Sequence, residues 1–325
     1  MRRVNLVWIT WEVHRRNREL SKAIGAKLIE LSEFDSMPKV VRYLLAPMKT
    51  LWIFFKNRPS IIICQNPSIV LSFMMVVIKA LTGVKVVVDA HYEGIVPKNG
   101  KYKLLNLITK FIHRYATFVI VTTKHHKRFV EKNGGMAFVL PDKFPLIPKT
   151  GPQALKGKNN ILYICSFNED EPCEEVIEAT KMIDPDIHLY ITGDYKKKGL
   201  SAEDMPPNVT LTGYLPEYEF ISLLNSVDVI MDLTTRENCL VCGAYESVSA
   251  GKPMILSKKD ALMDYFNRGA IYCENNAKEI ASAINKTFIF KEALAADIKL
   301  LRTERSRKWE QYKLEIINAL RAIET

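Results

Sequence analysis

Short apolar runs alternate with stretches of helical spacing along most of this 325-residue chain, and no other feature constrains its fold as tightly. In the first half, strands are expected at 4–9, 27–31, 61–64, 85–89, 118–121 and 138–140, with helices at 16–26, 40–57, 69–81, 101–115 and 124–132 between them. Runs such as Val86-Val87-Val88 are apolar at every position, as strands covered on both faces must be. Repetition of strand and helix in this order predicts a parallel sheet with helices on both sides.

The rhythm breaks once, at 140–160, where four prolines and two glycines leave little periodicity, the composition of a linker. It then resumes, with strands at 161–165, 187–192, 209–212, 228–233, 254–256 and 270–272 and helices at 173–181, 217–225 and 277–285. A helical tail at 300–323 aligns Trp309, Tyr312, Ile316, Leu320 and Ile323 on one stripe. The expected fold class is therefore α/β, with two doubly wound Rossmann-like domains at 1–148 and 149–305 facing a cleft, and a final helix at 306–325 returning toward the first.

Charge divides the chain at the same place. Residues 1–150 carry 25 Lys+Arg against 9 Asp+Glu, a net of +16, and the remainder carries 21 against 27, a net of −6. A basic half meets nucleic acid, an anionic membrane or a phosphorylated substrate, and no nucleic-acid motif is present. Helices 40–57, 69–81 and 101–115 mix apolar residues with Arg42, Lys49, Lys56, Lys79, Lys101, Lys103, Lys110 and Arg114, which suits contact with anionic lipid as well as an ordinary solvated face. The longest apolar run, at 69–78, is too short to span a bilayer, and no signal peptide is visible, so a cytoplasmic or peripheral protein is expected. Six scattered cysteines suit buried apolar positions in a reducing compartment, and the lone pair Cys239 and Cys242 lacks a second pair or a nearby histidine for zinc.

Chemistry concentrates at 228–253. An apolar strand runs into the polar loop Thr234-Thr235-Arg236-Glu237-Asn238, and a helix rich in small residues, including Gly243, follows until Gly251 and Pro253 stop it. Strand, polar loop and helix N-terminus in this order form a ready anion site, with phosphate the natural guest. In the first half, His14, Arg15 and Arg16 follow the first strand and are candidates for phosphate or acceptor contact, the alternative being a solvated first helical turn. Asp89 and His91 end another strand, where either would position or deprotonate an acceptor hydroxyl. Asp184-Pro185-Asp186 spells a DxD but sits in a proline turn before a strand, so no required metal and no cofactor is expected.

The second half resembles the donor domain of GT-B glycosyltransferases of family 4, the glycosyl transferases group 1. The resemblance runs in order through ILYICSFNEDEPCEEVIEA, LYITGD, NVTLTGYLPEYEFISLLNSVDVIMDL and RENCLVCGAYESVSAGKPMILS. In the first half only QNPS from Gln65 and DAH from Asp89 resemble segments of enzymes that act on lipid-linked sugars. The resemblance implies a glycosyltransferase that moves a sugar from a UDP- or GDP-linked donor to a glycan or polyprenyl-linked acceptor, as in polysaccharide biosynthesis. It implies that Glu246 holds the nucleotide ribose, with Thr235, Arg236, Gly243, Gly213 and Tyr214 completing the donor site. The family's sugar-side Glu falls at Asn238 with Glu237 beside it, so either the loop is shifted by one residue or an amide has replaced the carboxylate. The basic residue that the family often carries after the first strand of this domain is also missing from Ser166-Phe167-Asn168-Glu169-Asp170-Glu171. Two alternatives stay open: a sugar-nucleotide epimerase or hydrolase of the same fold, and a catalytically weak subunit that binds nucleotide sugars.

Overall fold

A computed structural model describes residues 5–34, 37–66, 68–151 and 153–324. The chain forms two compact units, one of 1–143 with 307–325 and one of 144–306. The boundary falls between Lys143 and Phe144, ahead of the expected 148/149.

In the first unit, β1 (Leu6–Thr10), β2 (Lys27–Glu30), β3 (Ile61–Asn66), β4 (Lys85–Ala90), β5 (Phe118–Val121) and β6 (Ala137–Val139) form one parallel sheet in the order β2-β1-β3-β4-β5-β6. The helices are α1 (Arg15–Ile24), α2 (Lys39–Asn57), α3 (Ile69–Thr82), the single turn α4 (Tyr92–Ile95), α5 (Lys103–Tyr115) and α6 (Lys124–Lys132). Alternate strand residues point to opposite faces, so Val7, Ile62, Val86 and Val119 meet Ile53 of α2, Leu71 and Met75 of α3 and Ile112 of α5. Trp8, Ile61, Ile63 and Ile120 face the other way and meet Leu20 of α1 with Trp309, Ile316 and Leu320 of the tail. Each such side chain contributes roughly 1.5–3 kcal/mol on burial, and the buried polar residues Gln65 and Asp89 come only toward the carboxyl ends of β3 and β4.

The second unit repeats the plan with β7 (Asn159–Tyr163), β8 (Ile187–Thr192), β9 (Val209–Gly213), β10 (Val229–Asp232), β11 (Met254–Ser257) and β12 (Ala270–Cys273), all parallel, in the order β12-β11-β10-β7-β8-β9. Its helices are α7 (Cys173–Ala179), α8 (Glu217–Ser226), α9 (Cys242–Ala250), α10 (Asp260–Tyr265) and α11 (Ala277–Ile289). The long α12 (Lys291–Ala322) follows, counted with the second unit to Ser306 and with the first from Arg307. Trp309 Nε1 donates to the Pro141 carbonyl at 3.0 Å, fixing the tail stripe on the first sheet. Asp184-Pro185-Asp186 forms a turn in which Asp184 Oδ1 accepts from the Asp186 amide at 2.8 Å. Cys64, Cys165, Cys173 and Cys273 are buried as expected, whereas Cys242 is exposed because it starts α9.

Two buried histidines make the first unit acid-sensitive. Burial pushes both His113 and His126 down from 6.5 to about 4, and His113 Nε2 lies 3.1 Å from the Gly94 carbonyl. Below pH 6.5 the unfolded chain binds protons that the folded one refuses, so stability is fully present above that pH and drains away as pH falls toward 4. Each histidine contributes at most about 3 kcal/mol to that loss. Urea midpoints followed from pH 7 downward are expected to fall over this window in wild type and to flatten in His113→Gln; an unchanged slope would show that the imidazole takes up its proton without unfolding.

Candidate functional site

Each sheet has a point where the strand order reverses, and ligands of doubly wound sheets sit outside the carboxyl ends of the strands there. In the second unit the reversal separates β7 from β10, and the two loops that follow these strands are laced together. Thr234 Oγ1 donates to Asp170 Oδ2 at 2.8 Å, the Thr235 amide donates to the Asp170 carbonyl at 2.7 Å, and Arg236 Nη2 lies 3.3 Å from Asp170 Oδ1. Arg236 is thereby fixed on the loop that carries no cation of its own.

The backbone anion sites in this region are already occupied by carboxylates. Asp232 Oδ2 accepts from the Gly243 amide at 2.7 Å, at the very helix N-terminus where a phosphate was expected. Gly243 is required for that approach, since a Cβ there would lie 2.6 Å from the same oxygen. Its amide therefore serves Asp232 and is not offered to donor. Burial raises the Asp232 carboxyl well above its ordinary value, with Glu171, Glu246 and Asp170 adding to the rise and the Gly243 amide opposing it. Glu171 folds back in the same manner, accepting from the Ser166 amide at 3.0 Å and the Asn168 amide at 2.7 Å. An anion bound here would depend on cations more than on these amides.

One such cation comes from the neighbouring strand. A pocket of about 550 Å³ opens at the carboxyl ends of β7, β8 and β9, lined by Ser166, Thr192, Gly193, Lys197 and Tyr214 among others. Lys197 Nζ donates to the Ser166 carbonyl at 3.1 Å, so a lysine that follows β8 stands over the loop that follows β7. Gly213 ends β9 at φ +71°, a left-handed conformation, and delivers the exposed Tyr214 to the pocket. Sequence reasoning missed Lys197, although the run Lys196-Lys197-Lys198 directly after LYITGD was a signal.

The remaining donor-side residues divide. Glu246 lies half-buried on α9, its carboxylate near enough to Asp232 to raise that group's pKa. Glu237 is exposed and bonds Lys259 at 2.6 Å. Asn238 adopts φ +59°, which asparagine tolerates far better than glutamate, so the amide at this position has a backbone cause.

In the first unit the reversal lies between β1 and β3, where Thr10 and Asn17 both bond Gln65 at 2.7 Å. Arg16, expected to reach phosphate or acceptor, instead turns inward. Its guanidinium donates to Asp89 at 2.7–3.2 Å, to Asp142 at 2.8 Å and to the Leu140 carbonyl at 2.8 Å, and its side chain is 1% exposed. Asp89, a candidate base, is fully shut from solvent. Arg16 and His91 hold its carboxyl well below the ordinary range against the opposing effect of burial, so it cannot accept an acceptor proton near neutrality. It orients His91 instead, whose Nε2 sits 3.2 Å from Asp89 Oδ2 with the ring partly open to solvent. His14 packs edge-on against His91 at 5.4 Å between centroids and caps α1 by accepting from the Arg16 amide at 3.2 Å. Its own pKa is lowered, first by burial and then by His91. Arg15 is half-exposed and pairs with Glu19 one turn along, as a solvated first turn would have it.

Residues 149–299 match the family model described as glycosyl transferases group 1. No curated protein matches the sequence. Among solved structures, Anabaena HepE in complex with UDP and glucose is similar at a TM-score of 0.74 and 12% identity, over 97% of this chain and 99% of that one. Sucrose-phosphate synthase from Thermosynechococcus elongatus is similar at 0.77 and 16%, over 98% and 99%. A glycosyltransferase from Rickettsia africae is similar at 0.69 and 16%, also over 98% and 99%. The likeness of the two parallel sheets to these structures shows a GT-B fold, and the match over residues 149–299 to the group 1 family supports a glycosyltransferase.

Proposed function

We propose that this enzyme moves a sugar from a UDP- or GDP-linked donor to a saccharide or polyprenyl-linked saccharide, in polysaccharide biosynthesis, without a metal ion, at the cytoplasmic face of a membrane. The observation that carries the donor side is Lys197 held over the Ser166 carbonyl in a pocket at the ends of β7, β8 and β9. HepE, solved with UDP-glucose, supports a uridine nucleotide. Lys197 and Arg236 balance the charge that builds on the departing diphosphate, which is the main electrostatic demand of the reaction and the work a metal would otherwise do. Glu246 accepts hydrogen bonds from the ribose hydroxyls, a task for which a carboxylate has oxygens enough. His91, set in orientation by Asp89, takes the proton of the acceptor hydroxyl.

Titration of UDP into Glu246→Ala tests the donor assignment. Loss of a hydrogen bond to a charged group lowers affinity by about 10- to 100-fold. Equal affinity in the variant and wild type would remove Glu246 from the ribose.

A further inference from the structure

α2 is apolar on two opposite sides. Ala46, Ile53 and Phe54 enter the core, while Val40, Leu44, Met48, Trp52 and Phe55 form a second stripe at helical spacing that is 55–74% exposed. Neighbouring helices on the same face of the sheet do likewise. Leu104, Leu107 and Phe111 point outward from α5, and Phe73 of α3 meets Phe111 at 5.6 Å. A soluble monomer rarely shows a contiguous apolar surface on this scale.

Charge identifies what covers it. Not one Asp or Glu occurs in α2, α3 or α5, whereas Arg42, Lys49, Lys56, Lys79, Lys103, Lys110 and Arg114 are spread along them. Acidic groups reach this layer from its edge, Glu33 at 3.0 Å from Lys49 and Glu12 at 4.0 Å from Arg42. A second copy seated on the same face would set lysine against lysine, because a two-fold contact opposes each patch to itself. An anionic bilayer offers both partners at once, an acyl boundary for the stripe and phosphates for the cations. Lys56 lies 4.5 Å over the Trp52 ring, the pairing of aromatic body and snorkelling ammonium that suits the headgroup level. No helix among the described residues is long and apolar enough to cross a membrane, so this contact lies on the surface.

We infer that the α2–α3–α5 face docks the enzyme on anionic lipid, with the Val40-to-Phe55 stripe entering the interface. If the acceptor is polyprenyl-linked, as proposed for this enzyme, the same contact brings it within reach. Trp8, Trp11 and Trp309 are buried, so Trp52 serves as an intrinsic reporter. The full chain is mixed with vesicles of phosphatidylcholine alone or with phosphatidylglycerol, and cosedimentation and tryptophan emission are followed while UDP affinity is measured in parallel. Binding only to the anionic vesicles, with a blue shift of emission and release by salt, is the expected result. Leu44→Glu with Met48→Glu, both at exposed positions, is expected to weaken vesicle binding by more than about tenfold and to leave UDP affinity as it was. Vesicle binding unaffected by these changes, no preference for anionic lipid, or a dimer that the same changes dissociate would each overturn the docking. Loss of UDP binding in wild type with docking intact would instead strike at the transferase reading.

Discussion

Arg16→Met is expected to unfold the first unit at a markedly lower temperature, because it strips Asp89 and Asp142 of their shared cation while Asp89 stays fully buried. Removing one partner of a buried pair costs about 3–5 kcal/mol, most of it the penalty of the charge left behind. Arg16 is itself raised above its ordinary pKa by Asp89 and Asp142 in spite of burial, and both carboxyls are lowered in turn, so all three groups carry their charge near neutrality. Adding Asp89→Asn to the variant is expected to recover part of the loss, since the orphaned charge is then gone. Thermal melts of the single and double variants provide the check. A single variant that melts with wild type and has lost only turnover would place Arg16 on a phosphate after all, the role its position in the sequence suggested.

Lys197→Ala is expected to lower kcat/KM for the nucleotide sugar by about 100-fold, a typical cost of withdrawing one preorganised group from developing negative charge. Lys197→Arg, which keeps the charge, is expected to regain most of it. Lys196→Ala is the control, because among these two lysines only Lys197 is bonded to the Ser166 carbonyl and lines the pocket. Equal losses in Lys196→Ala and Lys197→Ala would mean that the basic run acts only as diffuse charge. Within this loop system Asp170, Glu171 and Glu246 all lie close enough to Asp232 to raise its pKa, which is why a single lysine carries so much.

The sheets were legible because most strands are short apolar runs and most crossovers are helices, patterns that local sequence carries by itself; β8 and β9 are joined instead by two short 3-10 turns, Tyr195–Lys198 and Ala202–Asp204. Gly25, Gly83 and Gly251 mark helix ends at positive φ as their positions imply. α10 was not foreseen, since Asp260–Tyr265 is too short to show a period. The last helix begins at Lys291 rather than near 300, because Glu292-Ala293-Leu294-Ala295-Ala296 favours helix without forming a stripe. The functional residues were harder to read for one physical reason: their partners are distant in sequence. Arg16 reads as a free cation until the sheet brings Asp89, 73 residues on, and Asp142, 126 residues on, to its guanidinium. Likewise the loop after β7 reads as lacking a cation until strand order sets β8 beside it and Lys197 reaches over. Gly243 marked a close approach, as glycine in that setting should, but the group that approaches is Asp232 and not a phosphate.

Transfer from a nucleotide sugar to a separate acceptor is what sets the proposed activity apart from that of an epimerase, a hydrolase or a binding subunit of the same fold. Incubating the full chain with a panel of UDP- and GDP-sugars, with and without a membrane extract, and measuring released nucleotide tests it most directly. Release that depends on the extract, with one donor preferred and the sugar recovered in the lipid-linked or polymeric fraction, is the predicted result. Release without acceptor, an epimerised donor, or binding without turnover for every donor would contradict it.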